Sequence, residues 1–169
     1  VVTMVRAIIQ VRAVRWKTIG KVGYIRVSRF SERVESGIRD AFASIRMKLN
    51  DMPVGFILDL RNNPGGLLDQ SVILADAFLN TGEIVSVRGR DKINDRTFLA
   101  EHGDLAKDLP IVVLINGGSA SASEIVASAL KYHDRAIIMG TPSFGKGSVQ
   151  TIIPMPQEGA LRLTTALYY

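Results

Sequence analysis

Two loops rich in glycine and serine contain the candidate catalytic residues of this chain. The first covers residues 117–124 and reads G-G-S-A-S-A-S-E, and the second covers residues 140–147 and reads G-T-P-S-F-G-K-G. A lysine can serve as the base for a serine nucleophile when burial lowers its pKa from about 10.4 toward neutrality. We therefore consider a serine of the first loop paired with Lys146, and we expect Phe144 and the flanking apolar strands to exclude water from the amine.

Other catalytic groups are scarce in this chain. It contains no cysteine, which excludes thiol nucleophiles, disulfides and thiolate metal sites. The two histidines are His102, in a polar loop, and His133, at the predicted end of a helix. They are too few for a histidine-rich metal site, and neither follows an obvious strand, so a Ser-His triad is not favoured.

The second loop also resembles two other motifs. Gly140, Gly145 and Lys146 have the spacing of a phosphate-binding P-loop, which would suit a nucleotide-binding enzyme, but Gly147 stands where Ser or Thr should hold magnesium. Ser143 and Lys146 match the S-x-x-K pattern of penicillin-recognising enzymes, without a following K-T-G. Both motifs require a helix at this point, whereas residues 148–156 have the pattern of a strand.

Length and composition indicate an ordinary folded domain. The chain has 169 residues, of which 47% are hydrophobic and 22% charged, so a sizeable core is expected and extensive disorder is excluded. No apolar run is long enough to predict a transmembrane helix. The net charge of +5 comes partly from basic residues spread along a strand pattern, and only 7% of residues are aromatic, so we expect no nucleic-acid partner.

The two loops are predicted to lie in an α/β fold. Residues 4–16 and 22–28 form an N-terminal strand hairpin about Gly20, and Ser31 caps the following helix, whose apolar face ends at Leu49. Alternation of strands and helices beyond it predicts parallel pairing, with the loops at the carboxyl ends of strands. The further predicted strands are 54–60, 82–87, 97–100, 111–115, 136–139, 148–156 and 160–169, and the further helices are 67–79 and 120–132.

Three sequence blocks occur in the order found in the carboxy-terminal processing (tail-specific) proteases, and the chain resembles that family from Val22 to Tyr169. The blocks are D-L-R-N-N-P-G-G-L at 59–67, G-S-A-S-A-S-E-I at 118–125 and F-G-K-G-S-V-Q at 144–150. The resemblance implies a ClpP/crotonase-like α/β core of repeated ββα units. It also implies a serine endopeptidase that cuts proteins near their carboxyl ends through an acyl-enzyme, with no metal or organic cofactor.

The resemblance also implies a role for each matching residue. Ser121 stands where the family has its nucleophile, and Lys146 stands where it has the base. Gln150, four residues later, would orient that lysine. The oxyanion hole would be made by the backbone N–H groups of Ala122 and of Gly66, the second glycine of the N-N-P-G-G turn.

Simpler interpretations apply to several of these residues. Ser121 and Glu124 form an S-x-x-E capping box, and helix capping would by itself explain both. We expect Glu124 to cap the helix and also to support the site. Arg61 follows a buried strand and is expected to pair with an acid such as Glu124 or Asp59, while Gln150 could instead be a strand residue that faces water.

The expected organisation is a single catalytic core domain over residues 1–169, with residues 1–21 as an N-terminal strand segment. Family members usually carry a PDZ domain and further C-terminal strands, so we expect an excised part of a longer protein, exported to the periplasm, cell envelope or thylakoid lumen. Expected partners are protein or peptide substrates, with no metal and with self-association through exposed edge strands. Without the missing segments, Ser121 and Lys146 should lie beyond hydrogen-bond reach. The alternative function is a non-catalytic binding scaffold of the same fold.

Overall fold

The computed structural model describes residues 12–101, 103–156 and 159–169, and the predicted strand at 4–16 therefore lies mostly outside the described residues, as does His102. Within these ranges, no helix is long and apolar enough to cross a bilayer. The helices are α1 (Val34–Leu49), α2 (Leu68–Asp76) and α3 (Ala122–Tyr132), with a short 3₁₀ helix at Lys92–Asn94. The strands are β1 (Val14–Ile19), β2 (Val22–Val27), β3 (Gly55–Asp59), β4 (Glu83–Gly89), β5 (Arg96–Leu99), β6 (Ile111–Ile115), β7 (Ile137–Gly140), β8 (Ser148–Pro154) and β9 (Ala160–Tyr168).

The described strands form two sheets. The larger has the order β1-β2-β3-β6-β7, in which β1 and β2 form an antiparallel hairpin and the remaining neighbours are parallel. The smaller has the order β5-β4-β9-β8 and is antiparallel throughout. This topology confirms the predicted α/β class, the N-terminal hairpin and the parallel pairing.

Helix α1 buries the apolar face that its sequence spacing predicts. Val34, Ile38, Phe42 and Ile45 are all buried, and the helix ends where Asn50 adopts a left-handed conformation with φ 50°. The predicted cap at Ser31 is wrong, because the residue before the helix is Arg33 and no side chain caps it. The carbonyl of Ser31 accepts the N–H of Val34 at 3.0 Å, which places Ser31 in the turn before the helix.

A cluster of aromatic rings ties the helices to the larger sheet. The ring of Phe42 on α1 lies 4.5 Å from that of Phe56 on β3 and 5.8 Å from that of Phe78, just after α2. Such pairs contribute about 0.5–1.5 kcal/mol each beyond the burial of their area. The cluster fixes β3, whose carboxyl end leads into the turn at 61–66.

Candidate active site

The loops that follow β3 and β6 meet because those strands are parallel neighbours. Asp59 lies opposite Leu114, and the N–H of Leu60 donates to the carbonyl of Leu114 at 2.9 Å. Beyond the strands, the side-chain oxygen of Asn116 accepts the N–H of Asn62 at 2.9 Å, and its side-chain amide donates to Asn62 Oδ1 at 3.0 Å. The turn at 61–66 is thereby joined to the loop that carries Ser121.

Asn63 organises this junction from inside the protein. It is fully buried, its side-chain amide donates to the carbonyl of Val27, and its Oδ1 accepts the N–H of Gly65, both at 2.9 Å. Its own carbonyl accepts the N–H of Ala120 at 3.0 Å and the hydroxyl of Ser123 at 2.9 Å. Sequence reasoning assigned Asn63 no role, although a second Asn in a turn after a buried strand signals local hydrogen bonding.

The serines near the site differ in what their hydroxyls do. Ser119 Oγ donates to the carbonyl of Leu60 at 2.8 Å, and Ser123 Oγ donates to that of Asn63 at 2.9 Å. Ser143 Oγ donates to Glu124 Oε1 at 2.6 Å. These three hydroxyls are thus committed to scaffold contacts.

Ser121 is held in an unusual backbone conformation at the start of α3. Its φ is 54° and its ψ is −114°, a combination that non-glycine residues adopt only where the surrounding structure enforces it. The residue is half-buried and lies on the wall of a cavity. Strain of this kind is frequent at functional sites.

The carboxylate of Glu124 connects the loop at 117–124, here called the serine loop, to the loop at 140–147, here called the lysine loop. Its Oε2 accepts the N–H of Ser121 at 2.7 Å and that of Lys146 at 2.8 Å. Its Oε1 accepts the N–H of Gly145 at 2.7 Å as well as the hydroxyl of Ser143. One carboxylate therefore fixes both the serine and the lysine segments, which extends the predicted capping role.

The electrostatics of Glu124 match this arrangement. Burial acts to raise the pKa of its carboxyl, but the hydrogen bonds from Ser143, Gly145, Lys146 and Ser121 outweigh burial and hold the pKa below its ordinary value. Glu124 is therefore a carboxylate at neutral pH and acts as an acceptor for all four donors.

A cavity of about 720 Å³ lies beside the two loops, and Ser121, Glu124 and Lys146 line it together. Apolar walls come from β4 and α3, through Ile84, Val85, Ile125 and Ala129. Within the described ranges no hydrogen bond joins Ser121 to the amine of Lys146. The cavity therefore combines a polar rim with an apolar wall, which is the usual composition of a ligand site.

The surroundings of Lys146 differ from the sequence-based expectation. Phe144 was expected to exclude water from the lysine, but its side chain is 70% exposed. The N–H of Phe144 donates to the carbonyl of Ser119 at 3.0 Å, and the backbone that follows turns toward Glu124. The loop is therefore held by its backbone, and the phenyl ring of Phe144 is left in solvent.

Gln150 lies apart from the cavity. It is an exposed residue of β8 that pairs with Thr164 just after an irregularity in the strand register. The structure does not bring it among the residues that line the cavity. Its exposed position agrees with the alternative interpretation, in which Gln150 is a strand residue that faces water.

Two backbone N–H groups beside Ser121 are available as donors. Across the described residues, no acceptor is found for the N–H of Gly66 or for that of Ala122, the first residue of α3. Gly66 is exposed with φ 146°, while Gly65 is buried and its N–H is used by Asn63. These observations favour Gly66 over Gly65 as the second backbone N–H donor of the predicted oxyanion hole.

Arg61 pairs with Asp59 and not with Glu124. Its Nε donates to Asp59 Oδ1 at 2.9 Å and its guanidinium donates to Oδ2 at 2.7 Å, while Tyr24 also donates to Asp59. Burial acts to raise the pKa of Asp59, but the hydrogen bonds from Arg61 and Tyr24 lower it to about 2. The cluster stabilises the start of the turn at 61–66.

The alternative motifs of the second loop do not have the structure they require. Residues 148–154 form strand β8, so no helix follows the loop as a P-loop needs. Ser143 lies in the loop itself, and its hydroxyl is bound to Glu124, whereas an S-x-x-K serine begins a helix.

Tyr168 borders the same cavity and was not singled out from the sequence. It is a half-buried residue of β9 that lines the cavity together with Ser121, and burial raises the pKa of its phenol above the ordinary value. Because β9 reaches the site through pairing with β4 and β8, no local sequence signal indicates this position.

Comparisons with known proteins show the family to which the chain belongs. Residues 21–169 match the family described as Peptidase family S41. The chain is 57% identical over 169 residues to a carboxy-terminal-processing protease of Bartonella bacilliformis, covering 99% of this chain and 39% of that protein. A carboxyl-terminal-processing protease of Synechocystis sp. is 40% identical over 147 residues, covering 87% of this chain and 33% of that protein.

A solved structure shows a similar fold. The photosystem II D1 C-terminal processing protease superposes with a TM-score of 0.80 at 29% sequence identity, over 95% of this chain and 44% of that one. The chain thus spans about two fifths or less of the length of these curated relatives.

Proposed function

Because this chain belongs to peptidase family S41 and is similar to the carboxy-terminal-processing proteases, we propose that it is the catalytic core of a serine endopeptidase that cuts proteins near their carboxyl ends. The matched residues, 21–169, include Ser121, Lys146 and the cavity beside them. Its substrates are then protein or peptide chains that enter this cavity in an extended form.

In the proposed reaction Ser121 is the nucleophile and Lys146 is the general base. The amine of Lys146 takes the proton of Ser121 Oγ as that oxygen attacks the carbonyl carbon of the scissile peptide bond. The leaving amine takes this proton as the peptide C–N bond breaks, which leaves an ester on Ser121. A water molecule then attacks the ester, Lys146 takes its proton, and the proton returns to Ser121 Oγ as the acid product leaves.

Two free backbone donors are proposed to stabilise the oxyanion. The N–H of Ala122 belongs to the first turn of α3, where the helix dipole favours negative charge, and the N–H of Gly66 comes from the adjoining turn. Loss of one such donor typically costs about 10²–10³ in rate. Gln150 keeps its proposed orienting role toward Lys146, which requires it to approach the lysine from its exposed position on β8.

The observation that carries the proposal is the contrast between Ser121 and its neighbours. Ser119, Ser123 and Ser143 use their hydroxyls to hold backbone or carboxylate groups. Ser121 has the strained backbone and the place on the cavity wall. A single carboxylate, that of Glu124, positions its N–H together with the backbone of Lys146.

Location and assembly are also proposed by analogy. One relative is named as chloroplastic and one solved structure as a photosystem II D1 processing protease, so we propose an exported protein that works outside the cytoplasm. Strand β8 lies at one edge of the smaller sheet, and most of its residues are exposed. It is the proposed surface for pairing with another chain.

The test compares serine variants in the full-length protein. Ser121→Ala should abolish cleavage of a protein substrate at its carboxyl end, while the melting temperature stays within a few degrees of the wild type. Ser143→Ala is the matched control, because it removes a hydroxyl from the same site that only supports Glu124, and it should retain measurable cleavage. Persistent cleavage by Ser121→Ala would reject the assignment and favour a binding scaffold or another nucleophile.

A further inference from the structure

The peptide group between Gly65 and Gly66 is held at its carbonyl oxygen. That oxygen accepts the N–H of Phe30 at 3.0 Å, and the carbonyl of Phe30 accepts the N–H of Leu67 at 3.0 Å. All peptide bonds of the described residues are trans. Because a trans peptide group is planar, its C=O and N–H point in opposite directions. The contact with Phe30 therefore directs the N–H of Gly66 away from Phe30.

The same turn lies directly against the start of α3. A Cβ added to Gly65 would lie 2.8 Å from the carbonyl oxygen of Ala120 and 3.0 Å from the nitrogen of Ala122. Only a residue without a side chain allows so close an approach. The N–H of Ala122 and that of Gly66 thus come from two backbone segments in direct contact, as donors to one oxyanion must.

Asn63 holds this turn from its buried side. Its side chain is fully buried, and it connects the carbonyl of Val27 to the N–H of Gly65 through two hydrogen bonds of 2.9 Å. Its main-chain carbonyl accepts the N–H of Ala120 at 3.0 Å. One residue therefore fixes the turn both to the end of β2 and to the loop that precedes Ser121.

We propose that Asn63 is a positioning residue for the oxyanion hole, whose side chain holds the turn so that the N–H groups of Gly66 and Ala122 converge on one oxygen. Phe30 holds one peptide group of the turn and Asn63 holds the preceding one, so rotation of either is restrained. Donors fixed before the reaction stabilise developing charge without reorganising. This inference rests on the proposed function and adds to it the group that positions the two donors.

The pH dependence of kcat for Asn63→Asp in the full-length protein tests this role. A protonated carboxyl has nearly the size of the amide and can both donate to Val27 and accept from Gly65, whereas a carboxylate can only accept. Burial raises the pKa of such a carboxyl. Across the described residues, the hydrogen bonds of Asn63 are with backbone groups and one serine hydroxyl, and with no titratable side chain.

The kcat of Asn63→Asp relative to that of the wild type should be closest to one near pH 5. It should fall about 10- to 100-fold as the pH rises to 9 and the introduced carboxyl ionises, because misplacement by about 1 Å can cost about 10² in rate. KM should stay within about twofold. A relative kcat that does not change with pH, or a loss confined to KM, would overturn the proposal.

Two control variants separate positioning from stability and from charge. Ser71→Ala removes a buried hydroxyl that donates to the carbonyl of Leu68 at 2.6 Å within α2, so it should lower the melting temperature and leave kcat unchanged. Asn80→Asp adds the same charge at an exposed residue, whose side-chain oxygen accepts the N–H of Asp104, and its relative kcat should not depend on pH. Losses of kcat in either control as large as that in Asn63→Asp would overturn the proposal.

Binding of a peptide aldehyde tests the oxyanion site itself. Ser121 Oγ forms a bond to the aldehyde carbon, Lys146 takes the hydroxyl proton, and the aldehyde oxygen becomes negatively charged in the place of the oxyanion. At pH 9, Asn63→Asp should bind this aldehyde about tenfold or more weakly, while its affinity for the matching peptide alcohol, which forms no adduct, should equal that of the wild type.

The outcomes of this binding experiment distinguish the two proposals. Wild-type affinity of Asn63→Asp for the aldehyde, or an equal loss of affinity for the aldehyde and the alcohol, would reject the role of Asn63 and leave the peptidase assignment intact. A wild-type protein that neither cleaves a protein substrate nor forms an adduct with the aldehyde would instead reject the proposed function, and the role of Asn63 with it.

Discussion

The carboxylate of Glu124 accepts the backbone N–H of Lys146 at 2.8 Å. Through the same oxygen it accepts the N–H of Ser121 at 2.7 Å, so residues separated in sequence share one acceptor. The capping interaction predicted from the S-x-x-E pattern is thus one part of a hydrogen-bond network that connects the loop at 140–147 to the loop at 117–124.

Glu124→Gln should damage the site more than it damages the fold. Glutamine offers one acceptor oxygen, and its amide nitrogen would face N–H or O–H donors that need an acceptor. Hydrogen bonds to a charged group contribute about 1.5–3 kcal/mol, so we expect cleavage to fall at least about tenfold with a lower melting temperature. Glu35→Gln is the control, because the Glu35 carboxylate makes an exposed ion pair with Arg39 on α1, a type worth about 0.3–0.5 kcal/mol. Equal effects of the two changes on cleavage would show that Glu124 has no special role.

Asp59 should make the free energy of unfolding decrease as the pH falls. Its pKa is lowered from 3.8 to about 2 in the folded protein, so its contribution is fully present above pH 4 and is lost as pH falls through 2. At about 1.4 kcal/mol per pKa unit, this contribution amounts to about 2 kcal/mol. Urea titrations between pH 5 and 2 should therefore give a smaller decline in the free energy of unfolding for Asp59→Asn than for the wild type. Asp69→Asn, a change at an exposed position, should give the same decline in the free energy of unfolding as the wild type. If the free energy of unfolding of Asp59→Asn declined with pH in parallel with that of the wild type, Asp59 would not be the group responsible.

Lys146→Arg should reduce cleavage nearly as much as Lys146→Ala. Arginine retains the positive charge, but its pKa is above 12 and it cannot take a proton at working pH. Measured kcat values for both variants should lie orders of magnitude below the wild type. A Lys146→Arg rate within a few-fold of the wild type would mean that Lys146 acts only through its charge.

Gly66→Ala should be strongly disruptive because the turn has no space for a side chain. An added Cβ would lie 2.0 Å from the carbonyl oxygen of Phe30, and the φ of 146° is itself unfavourable for alanine. We expect loss of cleavage together with a lower melting temperature, measured by calorimetry. Gly103→Ala is the control, since the nearest atom would be 3.9 Å from its Cβ. Wild-type cleavage by Gly66→Ala would exclude this turn from the oxyanion site.

The sequence was most informative where local pattern decides structure. The apolar run at 111–115, bounded by Pro110 and Asn116, predicted β6 with its observed bounds. The turn at 61–66 meets the loop at 117–124 because both follow parallel neighbouring strands, whose carboxyl ends share one edge of a sheet. From the sequence, this meeting was expected only through the family resemblance, which assigns Gly66 and Ala122 to one oxyanion hole.

Non-local contacts set the rest of the site. Phe144 is turned outward because the loop backbone folds around Glu124, and Tyr168 enters the cavity because β9 pairs with β4. Gln150 is exposed because of its position along β8. Side-chain direction in such loops depends on partners far away in sequence, which composition and periodicity do not encode.

Mass spectrometry of the covalent intermediate tests the central claim most directly. Full-length protein treated with a fluorophosphonate probe should carry one adduct on the peptide that contains Ser121, and labelling should slow in Lys146→Arg and disappear in Ser121→Ala. Ser143→Ala should still be labelled at Ser121. An adduct on Ser119, Ser123 or Ser143, or labelling of Ser121 at the same rate with and without Lys146, would contradict a Ser121–Lys146 nucleophile and base.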